Sequence, residues 1–181
     1  PDTIHELLMV SLARPGCVTA ALVVDRADER RIAWAGSTWG PLKEGLPVWS
    51  AKTIHPIGGE VSGVGTAPYS TDEVHGRAVL IPKEVFRQCG LHDDLHIPHY
   101  GADNDYSRHL GAAGVEMFIV PSAQATLDVS HTGYAAPGEG SALRRYWLFM
   151  TDYRKSGQVP GWWRFVRRHI PWYCLLYTSD A

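Results

Sequence analysis

Apolar residues along the chain follow two different spacings, and the segments that carry them alternate. Near the start, four apolar residues recur at helical spacing, Ile4, Leu7, Leu8 and Leu12. Thr3 and Glu6 fit a capping box at the beginning of that helix, and the Arg-Pro-Gly of 14–16 ends it. The run 17–24 is apolar and rich in β-branched residues, so it predicts a buried strand that ends at the charged turn 25–31.

Later segments continue this alternation. The pattern predicts strands over 31–36, 74–81 and 115–120, an extended stretch over 124–129, and helices over 82–90 and 104–113. Between them, the segment 36–70 has many glycines and prolines and little periodicity, which is typical of a binding loop or lid. Helices and strands that alternate through short joints predict an α/β fold with a mixed sheet flanked by helices.

Composition narrows the class of protein. The chain has 181 residues, of which 45% are hydrophobic and 20% charged, with a net charge of −2, and this excludes a disordered chain. No apolar run approaches the roughly 18 residues that span a bilayer. The three cysteines, Cys17, Cys89 and Cys174, are far apart and lack metal-binding spacing, so we expect buried thiols and a cytoplasmic location.

The end of the chain differs in charge from the rest. Residues 141–173 contain seven Lys and Arg and one acidic residue, whereas residues 1–140 contain 10 basic and 17 acidic residues. Nine aromatic residues are interleaved with those basic residues on two predicted amphipathic helices. Two interpretations stay open: packing of the aromatics onto the sheet alone, or packing together with peripheral contact to the inner face of the plasma membrane. Nucleic acid is not expected as a partner, because the rest of the chain is acidic.

One window concentrates residues that can perform chemistry. Eight of the eighteen residues from 92 to 109 are His or Asp: His92, Asp93, Asp94, His96, His99, Asp103, Asp105 and His109. Clustered carboxylates can act as a general base, and His with Asp can also bind Zn, Mn or Mg. The plainer interpretation is that Asp93 and Asp94 solvate a turn while Asp103 or Asn104 caps a helix.

The sequence around this window resembles a known enzyme family. The string HIPHYGADNDYS at 96–107, with FIVPSA at 118–123, is similar to the C-terminal half of a family 2 glycosyltransferase of the GT-A fold. Upstream, VHGRAVLIPKEVF at 74–86 is similar to the acceptor-side strand and helix of that family, and CGLHD at 89–93 to the turn that follows them. The resemblance covers about residues 1–173 and implies a bacterial enzyme of this kind.

This resemblance implies an inverting transfer of a sugar from a nucleotide-sugar donor to an acceptor hydroxyl. The acceptor would be a glycan or a lipid-linked glycan in cell-envelope or surface polysaccharide synthesis. Asp103 would be the catalytic base, and Asp105 would hold the start of the helix and polarise the acceptor. His99 and Tyr100 would line the acceptor pocket, and Gly76 would allow the backbone to approach the donor closely.

The resemblance also implies a divalent metal, Mn or Mg, with its principal ligands in a donor-binding half before residue 1. A further ligand of the family falls near 127, where Asp128 and His131 are the nearest candidates. The family's arginine after the base is displaced or replaced here by Ser107-Arg108-His109.

We therefore expect 1–140 to be the acceptor-side half of a truncated domain, 141–173 a basic aromatic helical tail, and 174–181 a non-native read-through. A truncated chain of this kind should be inactive alone.

Two other classes of function stay open. A metal-dependent hydrolase would use the His and Asp cluster of 92–109, and a non-enzymatic carbohydrate-binding module would use the tryptophan-rich segments to stack on sugars.

Overall fold

A computed structural model describes residues 2–41, 49–128, 141–152 and 157–170. The helices are α1 (Thr3–Ala13), α2 (Lys83–Cys89), α3 (Ala102–Ala112), α4 (Ala142–Thr151) and α5 (Val159–His169), with a short 3-10 turn at Val61–Gly63. The strands are β1 (Val18–Asp25), β2 (Ile32–Trp34), β3 (Ser37–Pro41), β4 (Trp49–Thr53), β5 (Tyr69–Ser70), β6 (Val79–Leu80) and β7 (Met117–Leu127). The predicted α/β class is confirmed.

The main sheet is mixed, as predicted. Its strands lie in the order β2-β1-β7-β5, and β6 pairs with β1 as well. The central pair, β1 and β7, is parallel, whereas β2, β5 and β6 join antiparallel. β3 and β4 form a separate antiparallel hairpin. This hairpin lies in the segment expected to be a loop or lid.

β1 is the centre of the core because both of its faces are covered. Its first seven residues are all buried, which explains why the run is apolar except for Thr19 and does not alternate. On one face, Ala21 packs with Leu7 of α1 and Val120 of β7. On the other face, Leu22 belongs to the larger apolar cluster that reaches α3 through Leu110.

Three local expectations were wrong in detail. α1 is capped by Asp2, whose side chain accepts the His5 N–H, rather than by Thr3. Only residues 79–80 of the predicted strand 74–81 join the sheet, because the Val74 N–H donates to Ser107 Oγ of α3 instead of to a strand. The two extended segments after 115 form one strand, β7, whose register with β1 shifts between Ala21 and Leu22.

The predicted C-terminal helices are present as α4 and α5, and α5 packs closely against the rest of the fold. Phe165 of α5 is buried and lies 5.7 Å, ring centre to ring centre, from Trp39. Within the described ranges, no helix has the length and apolar character needed to cross a bilayer.

Candidate active site

A cavity of about 720 Å³ lies at the N-terminal end of α3. Its walls come mainly from the segments 74–77 and 98–104, together with Trp162 of α5 and with Val79, Ile81, Phe86, His92 and Tyr106. Four of the residues that the sequence indicated for the site line it together: Gly76, His99, Tyr100 and Asp103. The fold therefore brings most of the predicted site to one place.

Asp103 stands in the first turn of α3, and the chain enters that helix through Gly101. Gly101 has φ of 90°, a left-handed conformation that glycine adopts without the cost other residues incur. The Asp103 side chain is exposed to the cavity, and its Oδ2 accepts the backbone N–H of Gly76 at 3.1 Å. A helix N-terminus also favours negative charge, so this position suits a carboxylate that meets a substrate.

Gly76 lies directly against the Asp103 carboxylate. A Cβ at Gly76 would lie 3.1 Å from Asp103 Oδ1, tighter than most such contacts. A side chain there would require the Asp103 carboxylate to shift by a few tenths of an ångström. The structure thus places Gly76 beside Asp103, and its close approach to a donor stays a prediction.

Ser107, one turn later on α3, fixes the helix to the segment that holds Gly76. It is fully buried, donates to the Asp103 carbonyl at 2.7 Å and accepts the Val74 N–H at 3.0 Å. These two hydrogen bonds hold the segment 74–77 in a fixed position beside α3.

Glu73 is a buried carboxylate beside the site that the sequence did not reveal. It is 2% exposed, and its Oε1 accepts Trp39 Nε1–H at 2.6 Å and Asn104 Nδ2–H at 2.8 Å. Its Oε2 accepts the Ser37 hydroxyl. Because Asn104 follows Asp103 directly, Glu73 links the hairpin β3-β4 to the first turn of α3.

His75 contributes a neutral imidazole to the cavity wall. Its ring stacks on Trp34, with centres 4.0 Å apart and planes 14° from parallel. Burial lowers the pKa of His75 below its usual 6.5, although the negative charge of Asp103 opposes that shift. An unprotonated ring therefore stands next to Asp103 near neutral pH.

Asp105 does not line this cavity. Residues two apart on a helix face nearly opposite sides, and Asp105 is buried against α5. Its Oδ2 accepts Arg168 Nη1–H at 2.7 Å, and its Oδ1 lies 2.7 Å from His169 Nε2. The structure gives Asp105 a place in the helix-to-helix contact; a part in acceptor polarisation stays a prediction.

The same contact extends to Asp93. Its Oδ2 accepts Arg168 Nη2–H at 2.8 Å, and its Oδ1 lies 2.9 Å from His96 Nδ1. The Arg168 hydrogen bond is the main reason that the pKa of Asp93 falls to about 2. Asp93 and Asp105 thus join α5 to α3 and to the loop before it, and His96 supports Asp93.

Arg108, which stands near the family's expected arginine, lies over an aromatic ring. Its guanidinium carbon is 5.2 Å from the centre of the Trp39 ring, within the range of a cation–π contact. Arg108 and Glu73 therefore both contact Trp39. Arg108 lies over the face of its ring, and Glu73 accepts its N–H.

The described residues provide no set of ligands for a metal ion. Among the described residues, no three His, Cys, Asp or Glu side chains are grouped so that they could hold a metal ion. Asp128 is half-buried just after β7, while His131 lies outside the described residues. Near the cavity, His109 Nε2 lies 2.9 Å from the Cys89 carbonyl, and His99 packs on Tyr100 with ring centres 4.8 Å apart. The residues of the 92–109 window do not fit a metal centre of their own.

Comparison with known proteins gives matches among solved structures only. No family model matches the chain, and no curated protein matches it. A solved structure described as the crystal structure of GalNAc-T7 with UDP, GalNAc and Mn2+ is similar over 93% of this chain, at 15% identity and a TM-score of 0.48. The match covers 35% of that protein's chain.

Proposed function

We propose that the chain is the acceptor-side part of an inverting glycosyltransferase, similar to family 2 members of the GT-A fold. It would move a sugar from a nucleotide-sugar donor to an acceptor hydroxyl of a cell-envelope or surface glycan, on the cytoplasmic side of the membrane. The observation that supports this most is the exposed Asp103 carboxylate in a cavity that also contains His99 and Tyr100.

Asp103 is the base in this proposal. The acceptor hydroxyl gives its proton to the Asp103 carboxylate while its oxygen bonds to the anomeric carbon of the donor. The bond from that carbon to the diphosphate oxygen breaks on the opposite face, and the nucleoside diphosphate leaves with the bonding electrons. The N–H of Gly76 and the start of α3 orient the carboxylate for this transfer.

The acceptor binds against aromatic side chains. The rings of Tyr100 and Trp162 line the cavity and suit the apolar face of a sugar, and His99 adds a polar contact. Mn or Mg, held by residues outside the described part together with Asp128 or His131, would neutralise the leaving diphosphate when bound.

A substitution at Asp103 tests this proposal in the full polypeptide that contains these residues. Turnover is measured with a panel of nucleotide sugars and glycan acceptors. Asp103→Asn should lower kcat by about 10² to 10⁴ while nucleotide binding stays unchanged, because general-base catalysis contributes about that much. Asp94→Asn is the matched control, since Asp94 is exposed and does not line the cavity.

Two results would contradict this proposal. An Asp103→Asn enzyme within tenfold of the parent would reject Asp103 as the base. Glycan binding by the parent without turnover of any nucleotide sugar would favour the carbohydrate-binding module instead.

A further inference from the structure

The apolar face of α4 points away from the core. Leu143, Tyr146, Trp147 and Met150 recur at positions i, i+3, i+4 and i+7, which places them on one side of the helix. On a helix that packs on a core this side would be buried, yet Leu143 is 80% exposed, Tyr146 63% and Trp147 66%. Residues 142–148 of α4 are all exposed, and only Phe149 and Met150 of this helix are half-buried.

Basic residues surround this outward apolar face. Arg144 lines a shallow hollow of about 380 Å³ together with Leu143, Tyr146 and Trp147, so a positive charge borders the apolar stripe directly. α4 has no acidic residue. Arg145 stands on the same helix and is exposed.

α5 repeats the arrangement on its own outer side. Val159 and Trp163 are exposed and stand four residues apart, and the exposed Arg167 follows four residues later. The opposite side of α5 is the one that packs, through the buried Phe165 and through Arg168 with Asp105. α5 thus joins this surface to the fold.

We propose that the outward face of α4 docks on an anionic phospholipid surface. A helix with aromatic and aliphatic residues on one side and arginines beside them lies in the headgroup region, where the rings bury apolar area and the arginines meet phosphate. Charge complementarity also orients the molecule, because residues 1–140 carry 17 acidic and 10 basic residues and are repelled by the same surface. This surface is separate from the cavity of Asp103, so the proposal does not depend on the proposed activity.

Co-sedimentation with lipid vesicles tests the proposal. Vesicles of phosphatidylcholine with phosphatidylglycerol should bind the protein, vesicles of phosphatidylcholine alone should bind it much less, and added salt should weaken binding through screening. Trp147→Ser should lower the partition coefficient by about tenfold, through lost apolar burial. Arg144→Gln should lower it by about fivefold, the effect of one positive charge near such a surface.

Matched controls use residues of the same kind elsewhere. Ile57 is 66% exposed and Arg87 is 64% exposed, and neither is near α4 in the chain; Ile57→Ser and Arg87→Gln should bind vesicles like the parent. Asp103→Asn should also bind like the parent, which separates this test from that of the activity. The α4 substitutions are at exposed positions, so circular dichroism should show folded proteins in each case.

Three outcomes would overturn the proposal. They are absence of binding to the anionic vesicles, equal binding to both kinds of vesicle, and binding that Trp147→Ser and Arg144→Gln leave unchanged. A concentration-dependent dimer that Trp147→Ser abolishes in light scattering would assign the face to a second copy of the chain instead.

Discussion

The buried carboxylate of Glu73 allows a quantitative prediction about how the site is held together. Glu73→Ala removes the acceptor of three donors at once, those of Ser37, Trp39 and Asn104. A buried donor left without a partner costs about 1 to 3 kcal/mol. Ser37 is buried, whereas Trp39 and Asn104 are half-buried and reach some water, so the total loss should be about 3 to 5 kcal/mol.

Glu73→Gln should cost much less, about 1 to 2 kcal/mol. Its amide oxygen can still accept from Trp39 and Asn104, and its amide group can donate to the Ser37 hydroxyl, which also has acceptor lone pairs. A smaller loss of stability for Glu73→Gln than for Glu73→Ala would show that the hydrogen bonds of Glu73, and not its charge, stabilise the fold.

Urea unfolding followed by circular dichroism measures both changes. The control is Glu84→Ala on α2, because the Glu84 side chain is 72% exposed and pairs with Arg87 at the surface, so its loss should stay under about 0.5 kcal/mol. A loss below about 1 kcal/mol for Glu73→Ala would refute the role given to the three donors. A Glu73→Gln protein as unstable as Glu73→Ala would show that charge, not acceptor geometry, matters there.

Two further predictions concern pH. Burial keeps the pKa of His75 below 6.5, so the folded state should lose stability as pH falls below 6.5, where the unfolded chain takes up that proton more readily. An NMR titration should place the pKa of His75 below 6.5, and a value above it would contradict the burial of the ring. The pKa of Asp93, about 2 against 3.8 for an unperturbed side chain, means that its bond to Arg168 stabilises the fold above pH 4 and is lost toward pH 2. Acid unfolding of Asp93→Asn should lack that component, and an unchanged acid transition would show that the pair contributes nothing.

Much of the fold could be predicted because its elements are locally encoded. β1 is a continuous apolar run, Pro82 and Gly90 flank α2, and both C-terminal helices have clear amphipathic spacing. The hairpin β3-β4 was missed because its strands, with Trp39, Gly40 and Pro41 in the first, show no alternation of apolar and polar residues.

The site was predictable where its residues are close in the chain. His99, Tyr100 and Asp103 come from one short segment, and Gly76 from a second segment that the resemblance also covered. Glu73 was not predictable, since its partners Ser37 and Asn104 lie 36 and 31 positions away and only folding brings them together. Its neighbour in the chain, Asp72, is acidic as well and is exposed, so no local pattern marked Glu73 as the buried one. For Asp105, spacing alone could have shown that it faces away from Asp103.

The parallel pairing of β1 with β7 has a consequence for how the protein is made. Val18 and Met117 are partners although roughly 100 residues separate them, and closing so long a loop makes folding slow. While a ribosome is still synthesising the segment before Met117, the edge of β1 that later pairs with β7 has no partner. Unpaired edges of apolar strands recruit other chains. Newly made chains should therefore need chaperone protection until β7 emerges, and truncation before Met117 should give aggregates rather than a smaller folded unit.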